Sequence, residues 1–226
     1  MGVNAIAQAL EMIPSTCLHI LRVLAAEGLV VSDPATKRYS PGPGLLVLAR
    51  GVGGPGSFGA LAQPALDGLT AQFGLTAIGV EAVGLESMIV IGMAHAAGAV
   101  RLHVDVGSRY PATISATGRC IAAFGNHPKS ELTRRFRALR WDNPPTLEQW
   151  HAEIETARQA GFAVDDGRYI DGVTVLAAPV MTRRGASHGL VILGLREQLR
   201  RIGHDTVGAA LRNAASVLSK RMSGTE

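Results

Sequence analysis

The chain has 226 residues, 47% hydrophobic and 18% charged, which allows one or two domains with a real core and excludes a disordered polypeptide. Its formal charge of +4 permits a nucleic-acid partner without demanding one, since residues 1–50 hold four cations (Arg22, Lys37, Arg38, Arg50) against three anions (Glu11, Glu27, Asp33). Two cysteines, Cys17 and Cys120, exclude a disulfide scaffold and fit a reducing cytoplasm; there is no secretory leader and no run of about 18 apolar residues, so no membrane partner is expected.

From Ala5 to Tyr39 the sequence reads as a short helix, a tight turn, a second helix and a hairpin with a basic tip. On the second helix Cys17, Ile20, Leu21 and Leu24 recur as a buried stripe, while Ser15, His19 and Arg22 share another face. Pro14 suits the first helical turn, where its missing N–H costs nothing, and Gly28 suits a left-handed exit. A helix that reads the DNA major groove needs this division into a packed face and a polar one. The small hydroxyls Ser15 and Thr16 at its start allow close approach to phosphate. Leu29 to Val31 then reads as a strand, and Asp33-Pro-Ala-Thr36 as a type I turn. Lys37, Arg38 and Tyr39 follow, placed to touch phosphate or minor groove. Together these elements make residues 1–50 a winged helix-turn-helix. An amphipathic helix with a solvated hairpin is the alternative, and His19 taken alone is equally a surface histidine.

Residues 51–56 hold four glycines and a proline, a natural linker that a short helix over 45–50 feeds into. A second domain occupies residues 57–226. Phe58, Leu61, Ala65, Leu69 and Phe73 mark a helix stopped by Gly74, with Pro64 inside it as a kink. Residues 76–83, 87–94 and 100–106 read as three strands, and a helix covers 117–124. Thr146-Leu-Glu-Gln149 is a capping box opening a helix that ends before Gly161. Residues 173–181 and 188–195 form a hairpin around 183–186, and Val207, Leu211, Ala214, Leu218 and Met222 mark an amphipathic terminal helix. Strands in blocks with segregated helices predict an α+β domain with an antiparallel sheet.

The start of the helix at Thr117-Gly-Arg119 offers unpaired N–H groups and a positive dipole end, which suit a small carboxylate; Gly118 allows close approach to the main chain. Thr117 as a plain helix cap, and Asp165-Asp166 as a turn cap, are the alternatives. Cys120 with His95 or His103 has no nucleophile spacing, no metal-ligand set or cofactor motif is present, and no enzyme is expected. Arg134, Arg135, Arg137 and Arg140 read as a solvated helix face, with Phe136 and Leu139 on its buried side.

Three segments together resemble one family. The stretch from Ile13 to Val31 is similar to the recognition-helix signature of the IclR family of bacterial transcriptional regulators. Ala116-Thr-Gly-Arg-Cys-Ile-Ala122 is similar to its Ala-Thr-Gly-Lys-Ala stretch, and the segment from Gly161 to Val180 resembles its Gly-Tyr…Asp-Asp…Gly…Ala-Ala-Pro signature. The resemblance implies a winged helix, an effector domain of GAF-like fold, operator DNA as partner, and dimers or dimers of dimers. It further implies that the family's first helix belongs upstream of Val3 and is missing, leaving the second helix short of cover. In the effector domain it implies a small organic acid beside Thr117, Gly118 and Arg119, with Asp165 lining the pocket. Val175, Ile192 and Gly194 stand where glyoxylate- or pyruvate-type regulators carry a cysteine and two serines, which favours a ligand with apolar bulk such as an aromatic acid. Two functions follow: a ligand-responsive regulator of catabolic genes, repressor or activator, or a sensor or interaction module whose shortened N-terminus no longer binds DNA.

Overall fold

A computed structural model describes every residue except 53, 55, 96–101, 103, 183, 184 and 224–226, and for 50–52 the backbone alone. The chain divides into two compact units, Met1–Ser57 and Phe58–Glu226.

The first unit contains α1 (Val3–Ala9), α2 (Pro14–Ala26), β1 (Val30–Asp33), β2 (Arg38–Pro41) and α3 (Gly44–Val52). Pro14 sits in the first turn of α2, and Gly28, at φ +69°, turns the chain out of it. The buried core is Ala7, Cys17 and Leu21, with Val3, Ile6, Val30 and Tyr39 packed on it. Ile20 departs from the expected stripe and is 41% exposed. It lies about 60° around the helix from Cys17, enough to leave the narrow contact with α1. The hairpin pairs Asp33 with Arg38. Asp33 Oδ1 accepts from Ala35 N at 2.9 Å, and Asp33 O accepts from Lys37 N at 2.9 Å. Lys37 adopts φ +54°, so the hairpin closes through an extra left-handed residue instead of a simple type I turn.

The second unit runs α4 (Phe58–Phe73), β3 (Thr76–Val83), β4 (Ser87–Ala94), β5 (Arg109–Pro111), α5 (Ser115–Phe124), α6 (Lys129–Ala138), α7 (Leu147–Ala160), β6 (Ala163–Asp166), β7 (Val173–Thr182), β8 (Gly185–Leu195), α8 (Arg196–Ile202) and α9 (His204–Ser223). The strands form one antiparallel sheet in the order β5-β4-β3-β8-β7-β6, the α+β architecture that the sequence predicts. The expected third strand is displaced. Residues 102 and 104–106 are outside any strand, and pairing with β4 begins at Arg109, after Gly107 at φ +93° has turned the chain. Positions 100, 101 and 103 of that expected strand lie outside the described residues. The capping box of α7 forms as read: Gln149 N donates to Thr146 Oγ1 at 3.1 Å and Thr146 N to Gln149 Oε1 at 3.0 Å.

One face of the sheet is covered by α4 and α9, and Leu66, Leu176, Leu190, Ile192, Leu199 and Leu211 are fully buried there. The other face packs against α5, with Trp150 and Ile154 of α7 in the same cluster. Among the described residues no single helix is long and apolar enough to cross a membrane; α1 and α2 meet that test only as a pair bent by 109°.

Candidate DNA-reading surface and effector cavity

Ser15, Thr16, His19 and Arg22 are all exposed on α2, and Lys37 and Arg38 are exposed on the hairpin. Ile13, the residue before α2, supplies no side-chain cap, which leaves the first-turn N–H groups open to an outside acceptor. Tyr39 is different. It is half-buried, its ring packs on the Ala7–Cys17–Leu21 core, and its N–H donates to Met1 O at 2.8 Å. It anchors the hairpin from behind.

In the second unit a cavity of about 250 Å³ lies on the α5 side of the sheet. Ile78, Val80, Met88, Val175, Val191 and Leu193 supply apolar wall, and Tyr110, Ser115, Thr117 and Tyr169 bring hydroxyl groups. Among the described residues every lining side chain is uncharged. Burial pushes the Tyr169 phenol above its usual range, with Tyr110 and Asp142 adding to the effect, so it stays a neutral donor.

The start of α5 is unusual. Ser115, its first residue, adopts φ +56°, a region that non-glycine residues rarely enter. Its side chain is buried, and Oγ has no hydrogen-bond partner among the described residues. Gly118 serves a different purpose from the one expected. A Cβ there would lie 2.0 Å from the carbonyl carbon of Thr113, so the glycine lets α5 pack on the chain before it. Its N–H is spent on Ile114 O at 2.8 Å and is not free for a ligand.

Arg119 and Asp165 are also outside the cavity wall. Each side chain is 1% exposed, and Arg119 Nη1 meets Asp165 Oδ2 at 3.0 Å. Arg119 Nε donates to Glu153 Oε2 at 2.7 Å, and its guanidinium lies 5.7 Å from the Trp141 ring centre. Asp165 Oδ1 accepts from Arg168 N at 2.9 Å and Tyr169 N at 3.2 Å, the turn-capping role held open above. The pair therefore fastens α5, which carries Ser115 and Thr117, to the loop that carries Tyr169. Asn143 N donates to Arg168 O at 3.0 Å and Asp142 N to Tyr169 O at 3.2 Å, bracing that loop from outside.

On the strands, Val175 lines the cavity, but Ile192 and Gly194 do not. Ile192 belongs to the cluster under α4 and α9, and a Cβ on Gly194 would meet Leu75 at 2.7 Å. Their neighbours Val191 and Leu193 face the cavity instead. Side chains alternate along a strand, so a register one residue out moves both positions to the wrong face. Cys120 is fully buried, its thiol donates to Ala177 O at 3.2 Å, and burial pushes its pKa up to about 12; it is a core residue, not a nucleophile. His95 is exposed, and His103 lies outside the described residues. Ser115 and Tyr110 escaped the sequence reading. Ser115 had one available signal, its place directly before the Ala-Thr-Gly motif, whereas Tyr110 had none.

The family model described as the C-terminal domain of the bacterial transcriptional regulator IclR matches residues 59–220. The chain belongs to the IclR family. The glycerol operon regulatory protein of Streptomyces griseus is 30% identical to this IclR-type regulator over 97% of the chain and 88% of its own length. The regulator BhcR of Paracoccus denitrificans is 27% identical over 84% of the chain and 69% of its own. Among solved structures, an IclR transcriptional regulator from Alicyclobacillus acidocaldarius superposes with a TM-score of 0.83 at 30% identity, covering 98% of this chain and 90% of that one. An IclR homologue from Microbacterium hydrocarbonoxydans, complexed with 4-hydroxybenzoate, shares the fold with a TM-score of 0.80 at 15% identity, over 98% and 91% of the two chains. IclR family members are transcriptional regulators, not enzymes, which agrees with the inert Cys120.

Proposed function

We propose that this IclR-type regulator binds operator DNA through α2 and the β1–β2 hairpin, and that a small organic acid in the cavity beside α5 controls that binding. Residues 1–50 act as the DNA-reading unit, 51–56 as linker and 57–226 as the effector unit. Ser15, Thr16, His19 and Arg22 meet base edges and phosphates, Lys37 and Arg38 meet backbone, and Tyr39 holds the hairpin in place. Two copies of the chain, alone or as a dimer of dimers, place two such helices in successive turns of the major groove. The regulated genes encode catabolism of the effector or its relatives.

The single observation that carries this reading is the apolar cavity with hydroxyls gathered at the α5 end. The acid's apolar part gains from burial against the sheet, while its head lies at a helix N-terminus, where negative charge is favoured. The similar fold complexed with 4-hydroxybenzoate supports an aromatic acid as the class. Effector binding shifts the population between arrangements that fit the operator and arrangements that do not.

A gel shift with the intergenic DNA beside its own gene tests the reading. Arg22→Ala lowers affinity by about tenfold, and raising salt weakens the wild-type complex steeply. Binding that is indifferent to both would remove α2 as the reading helix.

A further inference from the structure

We propose that Ser115 reads the head group of the effector, and that the cavity selects a molecule with one polar head and a flat apolar body over a polyol. The inference rests on the effector-site reading above and names the chemistry of its ligand. Three observations meet at this residue. Ser115 holds φ +56°, a strained conformation for any residue with a Cβ. Its side chain is 4% exposed, yet Oγ has no partner among the described residues. It lines the cavity at the first turn of α5, where no side chain caps the helix.

A buried hydroxyl left unpaired costs free energy that an acceptor entering the cavity recovers. A carboxylate is such an acceptor. It takes the Ser115 O–H and lies at the positive end of α5. The ionised groups nearest this turn are engaged elsewhere. Arg119 is bound to Asp165 and Glu153, and Asp165 to Arg119 and two backbone N–H groups, so neither Arg119 nor Asp165 reaches the ligand. Head-group recognition therefore falls to a neutral hydroxyl in a sheltered site.

The rest of the wall decides the body of the ligand. Ile78, Val80, Met88, Val175, Val191 and Leu193 offer no side-chain donor or acceptor. A polyol such as glycerol would lose water from hydroxyls that find no partner there, whereas a ring buries its apolar surface with gain.

Calorimetry on the full chain, with benzoate, phenylacetate and glycerol as probes, tests this. At least one of the two aromatic acids binds more tightly than glycerol. Ser115→Ala and Ser115→Gly each weaken it by about tenfold, the loss expected for one buried charge-assisted hydrogen bond. Glycine accepts the positive φ without strain, so Ser115→Gly keeps the fold and separates lost recognition from lost structure. Tighter binding of glycerol, no binding of either aromatic acid at millimolar concentration, or full affinity in both variants overturns the proposal. A gel shift with the bound acid keeps the two levels apart. If the acid binds through Ser115 but leaves DNA affinity unchanged, the effector-site reading fails and the ligand chemistry stands.

Discussion

On one face of the six-stranded sheet α4 and α9 lie against β3, β4, β7 and β8, and Leu66, Leu190, Ile192 and Leu211 are sealed beneath them. On the other face α5 packs mainly against β6, β7 and β8, and the cavity reaches out over β3, β4 and β5. Helix length accounts for much of this difference. The 16 and 20 residues of α4 and α9 span about 24 and 30 Å, whereas the 10 residues of α5 span about 15 Å. A short helix covers half a sheet face and leaves the remainder to loops. The open face is then held in shape by polar fastenings, the Arg119–Asp165 pair above all, where the closed face relies on apolar packing.

Breaking the fastening is expected to have the largest effect. Arg119→Met leaves Asp165 buried without its cation and costs about 3–5 kcal/mol, read from denaturant unfolding. If the variant were as stable as wild type, the pair would not be what holds the two walls of the cavity together.

Adjacent residues of β8 offer the sharpest contrast between faces. Ile192→Ala opens a hole in the sealed face and costs about 2–5 kcal/mol, with no change in ligand affinity. Leu193→Ala enlarges a space that already exists, so its cost falls near the low end, about 2 kcal/mol, and it alters which probe acids bind. Unfolding curves and calorimetry on this pair should show the two properties changing separately; matching effects would erase the distinction between faces.

Acid titration gives the smallest effect. Burial raises the Asp166 pKa, but the hydrogen bond from Thr174 and the charges of Arg200 and Arg196 outweigh it, and the net shift is downward. A depressed carboxylate stabilises the fold fully above its unfolded pKa of 3.8 and loses that contribution as pH falls through its folded value. Asp166→Asn therefore costs less than about 1 kcal/mol at pH 7, since solvent screens these exposed partners, and the difference from wild type shrinks towards pH 3. A deficit that is constant with pH would mean that packing, not charge, is at stake.

Local signals were the legible part of this chain. Pro14 and Gly28 bracket α2, Thr146 and Gln149 start α7, and Gly74 and Gly161 stop the helices before them, each within a few residues of the signal. The strand at 109–111 was illegible because three residues carry no period, and the alternation at 100–106 imitated it. Thr117 and Val175 reach the cavity as read, whereas Gly118, Arg119 and Asp165 support it from behind.

By itself the sequence determined the elements, the α+β class and the family, because turns, caps and helical periods act over a few residues and motifs persist in order. Tertiary structure alone decided what the cavity is made of. The partners Arg119 and Asp165 are 46 residues apart, and a slip of one residue in β8 exchanges Ile192 for Val191 at the wall. Which hydroxyl is left unpaired at the start of α5 depends on every group that packs around it, and no spacing in the chain records that.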